Sequence, residues 1–314
     1  MVEATLNPQA QELLDAGERA RMIPLAAIAP EAARSRLRGG FLSHPAGPDI
    51  FETRDLIVPG PGGGTGIRLY RANDFGERAI LFLHGGGGVV NSVETHDRLC
   101  RIIASEACAS VLSLDYRLAP EFKYPAPLED CFRAWLYLVG HGNELRLDTS
   151  RAGVMGDSSG ASLAFGVSAL AVDLCTQVPW LQCMFYPVGD HYAAGYRSYV
   201  ERGSGYSLDG ATMKWFIDHY LPEEWSPTDG YLFPLRRLTL EGMPQTILSV
   251  CEFDPLRDEG NELGSRLESA GVQVEAFPAM DQMHGYAMQT STIDAAMDLV
   301  VQISRAAGQR LGTL

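Results

Sequence analysis

The stretch from Val154 to Gly160 constrains this chain more than any other. A short apolar run ends there in Gly156-Asp157-Ser158-Ser159-Gly160, and small residues compatible with a helix follow from Ala161 to Ala171. A strand that turns sharply into a helix strains the middle residue and exposes its side chain. Glycines on both sides let the two backbones pass without a Cβ clash. We therefore expect Ser158 at a helix N-terminus, where free N–H groups favour developing negative charge.

This motif alone is a weak signal, because Gly and Ser are common and such a run is often only a turn. The preceding strand and the following helix favour a nucleophile. The interpretation depends on whether the rest of the chain supplies partners for Ser158.

Composition excludes several classes of partner. The chain has 314 residues and a net charge of −14, which argues against nucleic acid and anionic membrane surfaces. Met1 to Ala10 lacks a basic region followed by an apolar core, so no secretory signal is visible there, and no apolar run is long enough to span a bilayer. The cysteines are scattered without metal-binding spacing, which predicts buried reduced thiols in a cytoplasmic protein and no metal or other cofactor.

Strands and helices alternate from Ala79 onward, which predicts an α/β fold with a mostly parallel sheet covered by helices on both faces. The predicted strands are Ala79 to Leu83, Ser110 to Leu114, Arg151 to Met155, Leu181 to Tyr186, Thr246 to Val250 and Val272 to Phe277. The predicted helices between and after them are Thr95 to Ala107, Leu128 to Val139, Asn261 to Ala270 and Ser291 to Ala307.

Two regions depart from this alternation. Residues 1–50 contain two predicted helices, Gln9 to Arg21 and Pro30 to Leu37, the second stopped by Gly39-Gly40. Residues 189–237 are rich in aromatic and charged residues, with a predicted helix from Leu208 to Tyr220 that has Asp209 in its first turn. We expect a core of residues 51–188 and 238–314, with residues 1–50 as an appendage packed on it and residues 189–237 as a lid or cap over the strand ends.

A glycine run, His84-Gly85-Gly86-Gly87-Gly88, directly follows a buried strand. A flexible loop would explain it. The alternative, which we favour beside a Gly-x-Ser-x-Gly turn, is a backbone that presents N–H groups to a reacting atom as half of an oxyanion hole.

Candidate catalytic residues follow the ends of successive strands, where sites form in open parallel sheets. They are Ser158, then Asp254, then His284, the chain order used on the α/β-hydrolase scaffold. A serine hydroxyl needs a base within hydrogen-bond reach, histidine can accept and return a proton near neutral pH, and aspartate holds the required tautomer.

Each assignment has a rival. Asp258 and Asp281 also lie near the expected position of the acid, but Asp254 comes directly at a strand end and before Pro255. Among the histidines, only His284 follows the last strand, and we expect His84 to order the glycine loop without acting as a base.

Together these stretches resemble the signature set of the hormone-sensitive-lipase family of bacterial carboxylesterases, within the α/β-hydrolase superfamily. The matching stretches are His84 to Gly87, Tyr116 to Glu121, Gly156 to Gly160, Asp254 to Glu259 and His284 to Tyr286. The resemblance implies a catalytic triad of Ser158, Asp254 and His284. It also implies oxyanion donors in the amides of Gly86, Gly87 and Ser159, a helical cap built from residues 1–50 and 189–237, and frequently a homodimer.

Two residues depart from the family pattern. Gly88 stands where an aromatic residue is usual, which predicts a roomier or more mobile acyl pocket. Ser159 stands where alanine is common, which we expect to be harmless because the oxyanion donor is its backbone amide.

The predicted function is hydrolysis of short- to medium-chain acyl esters, as small-molecule substrates, through an acyl-enzyme. The triad leaves an amidase, lactonase or deacetylase of a specific metabolite open, because the attack step is common to all. A non-catalytic receptor is disfavoured: plant gibberellin receptors resemble this family but have lost the catalytic histidine, and His284 is present here.

Overall fold

The fold is known from a computed structural model that describes residues 4–74 and 77–314. Met1 to Glu3 of the N-terminal segment therefore lie outside the described residues. The described residues form a sheet of eight strands in the order β1-β2-β4-β3-β5-β6-β7-β8. Its strands are β1 (Glu52–Val58), β2 (Thr65–Arg71), β3 (Glu77–Leu83), β4 (Ser110–Leu114), β5 (Leu147–Asp157), β6 (Leu181–Phe185), β7 (Gln245–Phe253) and β8 (Val274–Met283).

The sheet is mostly parallel, as predicted. β1 pairs antiparallel with β2 and β2 antiparallel with β4, whereas every pairing from β4 to β8 is parallel. The carboxyl ends of β5, β7 and β8 therefore lie along the same edge of the sheet.

Helices cover both faces of the sheet. They are α1 (Pro8–Arg19), α2 (Pro30–Leu42), α3 (Asp97–Ala107), α4 (Ala126–His141), α5 (Ser159–Asp173), α6 (Ser198–Arg202), α7 (Gly210–Tyr220), α8 (Arg257–Ser269) and α9 (Asp294–Leu311). Single 3₁₀ turns occur at Leu25–Ala27, Pro61–Gly63, Pro234–Arg236 and Tyr286–Gln289.

Strand alternation divides the core into two layers. Ile80 and Phe82 of β3 pack on the layer that contains α3 and α9, whereas Leu81 and Leu83 pack on the layer that contains α4 and α5. The period-two alternation of strand side chains explains this division, because each face must be covered by its own helices.

Three local predictions are wrong. Helix α2 does not stop at Gly39-Gly40 but continues to Leu42, since neither glycine adopts the positive φ that closes a helix. Asp209 lies before the first turn of α7, where its Oδ1 accepts a hydrogen bond from Thr212 N at 2.6 Å as an N-cap. The cysteines are all free, but Cys175 is exposed and Cys108 only partly buried.

The N-terminal helices contact the rest of the chain at two places. Ala10 of α1 joins the core layer of α3 and α9. Ala33 of α2 is fully buried in a cluster with Val89, Trp215 and Tyr220. The N-terminal segment and α7 therefore pack on the loop that follows the glycine run.

None of the helices in the described part of the chain is both long enough and apolar enough to cross a membrane.

Candidate active site

Ser158 lies at the turn between β5 and α5. Its backbone is in an unusual conformation (φ 53°, ψ −125°), and its N–H donates to Phe185 O at 2.9 Å. A side chain at Gly160 would place its Cβ 2.1 Å from Leu83 O, so the close passage of α5 over β3 requires glycine there. The local sequence thus produces the strained strand-to-helix turn expected for this motif.

The structure brings Ser158, His284 and Asp254 together in one chain of hydrogen bonds. Ser158 Oγ lies 2.9 Å from His284 Nε2, and His284 Nδ1 lies 2.7 Å from Asp254 Oδ2. With Nδ1–H donating to the carboxylate, Nε2 is left to accept the serine proton. Asp254 is almost completely buried and also accepts a hydrogen bond from Leu256 N at 2.9 Å.

His284 is held from two further sides. Its carbonyl oxygen accepts a hydrogen bond from Ser207 Oγ at 2.6 Å, and its ring packs beside Tyr186 with 4.7 Å between centroids. These contacts fix the imidazole between the serine and the carboxylate, as a base in this position requires.

The two rival carboxylates have other partners. Asp258 accepts a hydrogen bond from Ser198 N at 2.8 Å and pairs with Arg257 Nε at 2.9 Å. Asp281 accepts a hydrogen bond from Asn7 Nδ2 at 2.9 Å. Neither forms the contact with His284 that Asp254 makes.

The amides of Gly86, Gly87 and Ser159 are free to meet a ligand. Within the part of the chain that the structure describes, neither Gly86 N nor Gly87 N donates to a protein acceptor. Ser159 is the first residue of α5, so its N–H has no partner within the helix. Gly87 and Ser159 line the same cavity as Ser158, so each of the two loops presents an unpaired donor there.

His84 supports the glycine loop from below. Its ring is fully buried, stacks on Tyr116 at 4.3 Å between centroids, and has Nδ1 2.8 Å from Gly85 O. Burial and the neighbouring His96 lower the pKa of His84 to about 3. The ring is therefore neutral at physiological pH and lies inside the loop.

Sequence reasoning missed a second buried pair, Asp157 and His96. Asp157 Oδ1 accepts a hydrogen bond from Gly85 N at 2.7 Å and lies 3.1 Å from His96 Nε2. Burial opposes ionisation of this carboxyl, but His96 and the Gly85 amide outweigh it and hold the pKa of Asp157 below its usual value. Asp157 thereby ties the serine turn to the glycine loop. Its place beside Ser158 was the only signal in the sequence.

A largely apolar cavity opens beside Ser158. Its walls are largely apolar and come from α5, from the glycine loop and from residues 189–237. The lining residues are Gly87, Tyr124, Ser158, Ser159, Ser162, Leu163, Val188, Leu208, Met213, Phe216, Ile217, Tyr220, Tyr231, Leu232 and Phe233.

The space next to Gly88 is occupied, so the expectation of a roomier pocket at this position is wrong. A Cβ on Gly88 would lie 2.5 Å from the ring of Tyr220, and one on Gly87 would lie 2.2 Å from the ring of Phe216. Aromatic side chains of α7 therefore take the place of a side chain on the loop itself.

No group of three or more His, Cys, Asp or Glu side chains among the described residues is arranged to hold a metal ion.

Comparison with known proteins identifies the family. A family described as having the alpha/beta hydrolase fold matches residues 80–288. The ethyl acetate hydrolase of Pseudomonas putida is 34% identical over 98% of this chain and 100% of its own length. The carboxylic ester hydrolase LipN of Mycobacterium tuberculosis is 36% identical over 81% of this chain and 69% of its own.

The chain belongs to the hormone-sensitive-lipase-like family of α/β hydrolases. Solved structures agree: a thermostable esterase from Pseudomonas putida has a TM-score of 0.91 at 28% identity, covering 98% of this chain and 97% of its own. A hyperthermophilic esterase from Pyrobaculum calidifontis has a TM-score of 0.89 at 29% identity, covering 99% and 100%. The predicted fold and family are confirmed, and the chain is a serine carboxylesterase.

Proposed function

We propose that this carboxylesterase hydrolyses esters of short- to medium-chain acids, with Ser158 as nucleophile, His284 as base and Asp254 as its partner. The observation that carries the proposal is an apolar cavity that includes Ser158 in its wall and is bounded by aromatic and aliphatic side chains. Apolar walls favour an alkyl chain, and the side chains that bound the cavity limit the length of that chain. The relative from Pseudomonas putida is named as an ethyl acetate hydrolase, which supports the short end of this range of chain lengths.

The geometry supports the following sequence of steps. Ser158 Oγ attacks the ester carbonyl carbon while its proton passes to His284 Nε2, 2.9 Å away. The oxyanion accepts hydrogen bonds from the amides of Gly86, Gly87 and Ser159. The intermediate collapses to the acyl-enzyme as His284 returns the proton to the leaving alcohol. Water, activated by the same imidazole, then releases the acid and restores the serine.

We further propose that residues 1–50 and 189–237 act together as a cap over residues 51–188 and 238–314. Ala33 and Leu37 from the N-terminal helix pack in one cluster with Trp215, Ile217 and Tyr220. The cavity walls contributed by residues 189–237 support a role in selecting the acyl group.

We also propose that the protein forms a homodimer and is located in the cytoplasm. The outer strand β8 exposes Met280, and a strand at a sheet edge can pair with a second copy, which supports a homodimer. Six free thiols support the cytoplasm, where disulfides are rare. Sedimentation at several concentrations and fractionation of the source cells test these two statements.

The main test is a series of p-nitrophenyl esters from acetate to palmitate, with Ser158→Ala as the control. We expect an optimum of kcat/KM at short or medium chains and loss of the rate in the variant. Removing a triad side chain leaves only the catalysis due to binding and the oxyanion hole. Full activity in folded Ser158→Ala protein, or a maximum on palmitate, would contradict the proposal.

A further inference from the structure

Two tyrosines separate the cavity at Ser158 from a second apolar groove on the surface. Tyr124 and Tyr231 line both spaces. The outer groove is otherwise lined by residues of α4, of α5 and of the turn before α4, namely Pro125, Leu128, Glu129, Phe132, Arg133, Leu136 and Leu170. The two tyrosine rings are thus the wall that the spaces share.

The groove lies farther from the nucleophile than the cavity does, along the same helix. Ser159 and Leu163 of α5 line the cavity, whereas Leu170 lines the groove. At about 1.5 Å of rise per residue, Leu170 is roughly 10 Å beyond Leu163 along α5. An alkyl chain that extends from Ser158 in this direction meets the two tyrosines before it reaches the groove.

Both tyrosines are held in place through carboxylates. Tyr124 Oη donates to Asp229 Oδ2 at 2.8 Å, and Asp229 Oδ1 accepts from the backbone N–H of Tyr231 at 2.9 Å. Tyr231 Oη donates to Asp173, which Arg237 holds through two hydrogen bonds of 2.7 and 2.9 Å. The wall is therefore fixed by hydrogen bonds at both rings as well as by packing.

We propose that Tyr124 and Tyr231 set the upper limit of acyl-chain length, and that the outer groove accepts longer chains once this wall is shortened. The inference rests on the proposed function, since it concerns the acyl group carried by Ser158. The aliphatic side chains of Leu128, Leu136 and Leu170 give the groove the apolar surface that an alkyl chain prefers. Each methylene that becomes buried there should raise kcat/KM by about fourfold.

The test compares Tyr124→Ala and Tyr231→Ala with the unaltered enzyme on p-nitrophenyl acetate, octanoate and laurate. We expect the laurate-to-acetate ratio of kcat/KM to rise at least tenfold in either variant. Tyr124→Phe, which loses only the hydrogen bond to Asp229, should change this ratio less than threefold. Should an alanine variant fail to fold, Tyr124→Leu and Tyr231→Leu fill more of the space and serve in its place.

Leu136→Glu is the matched control for the route. Leu136 lines the groove but not the cavity and is 42% exposed, so a charge there is tolerated by the fold. Alone it should leave the ratio unchanged, and combined with Tyr124→Ala it should abolish the gain on laurate. If the double variant keeps the raised laurate-to-acetate ratio, the acyl chain follows another path. That result would overturn the assignment of the groove.

Labelling of Ser158 distinguishes failure of this inference from failure of the proposed function. Ethyl and dodecyl fluorophosphonates report access to the serine without ester turnover. Faster dodecyl labelling in the tyrosine variants supports the wall even if no ester of the series is cleaved. Unchanged ratios in folded variants, by labelling and by turnover, refute it.

Discussion

The close approach of Tyr220 to Gly88 predicts a loss of stability when Gly88 is replaced by alanine. A second glycine of the chain, Gly62, provides the control. Gly88 has φ +68°, and an added Cβ would lie 2.5 Å from two carbons of the buried Tyr220 ring. Gly62 has φ +69°, and nothing lies within 4 Å of the Cβ that alanine would add there. Gly88→Ala and Gly62→Ala therefore share the backbone strain and differ in the contact with the ring.

The expected magnitudes follow from this difference. In both variants, the left-handed backbone destabilises the folded state by about 1–2 kcal/mol. Replacing glycine by alanine also reduces the entropy of the unfolded chain, which stabilises both variants by roughly 0.4–1 kcal/mol. The clash with Tyr220 adds about 1–3 kcal/mol in Gly88→Ala only, as for other overpacked sites. For a chain of 314 residues, the Tm of Gly88→Ala should therefore fall below that of Gly62→Ala by about 2–5 °C.

A thermal-unfolding series of the two alanine variants, each made with and without Tyr220→Ala, tests this expectation. In the Tyr220→Ala background, Gly88→Ala should lower Tm no more than Gly62→Ala does. Tyr220→Ala itself lowers Tm by removing a buried side chain. Equal costs of the two glycine substitutions in the presence of Tyr220 would refute the inference that α7 fills the space next to the glycine loop.

Three further predictions concern the buried polar groups. Asp254→Asn should lower kcat roughly 10⁴-fold with little change in KM, because the amide no longer fixes the required tautomer of His284; a loss below tenfold in steady-state assays would argue for another acid. Asp157→Ala should lower the free energy of unfolding by about 1–3 kcal/mol, since it removes the buried acceptor of the Gly85 amide and the carboxylate beside His96 Nε2, and an unchanged denaturation midpoint would show that these contacts contribute nothing. Burial, with Asp254 and Asp190 nearby, raises the pKa of Glu259 well above its usual value of 4.5. The folded state therefore binds a proton at Glu259 more tightly than the unfolded state does. Stability should fall as the pH rises from 4.5 through the raised pKa. Glu259→Gln should flatten that fall in Tm, and a variant with the same slope would show that another group titrates.

Features encoded within short stretches could be predicted from the sequence. The run from Val154 to Gly160 forms the strained turn at Ser158, because Gly156 and Gly160 leave room where a Cβ would collide with neighbouring backbone. The alternation of apolar strands with helices implied a parallel sheet, and parallel strands end at one edge. The candidates at the ends of β5, β7 and β8 were therefore expected to meet, and Ser158, Asp254 and His284 do lie in contact.

Element ends were less well determined by local signals. Gly39-Gly40 has the composition of a helix stop, yet α2 continues through it to Leu42. Glycine costs a helix only about 1 kcal/mol relative to alanine, and Arg34 of α2 donates to Val89 O at 2.8 Å and to Ala119 O at 2.7 Å. Tertiary contacts of this kind outweigh a cost of that size.

Tertiary structure alone decided which distant side chains meet. The sequence placed Asp157 beside the nucleophile but did not show that His96 would pair with it. It identified Gly88 as unusual but not that Tyr220 would fill the adjacent space, nor that Tyr124 and Tyr231 would stand between two apolar spaces. Periodicity shows which face of an element is buried, whereas the partner on that face depends on how helices and loops from distant parts of the chain pack together.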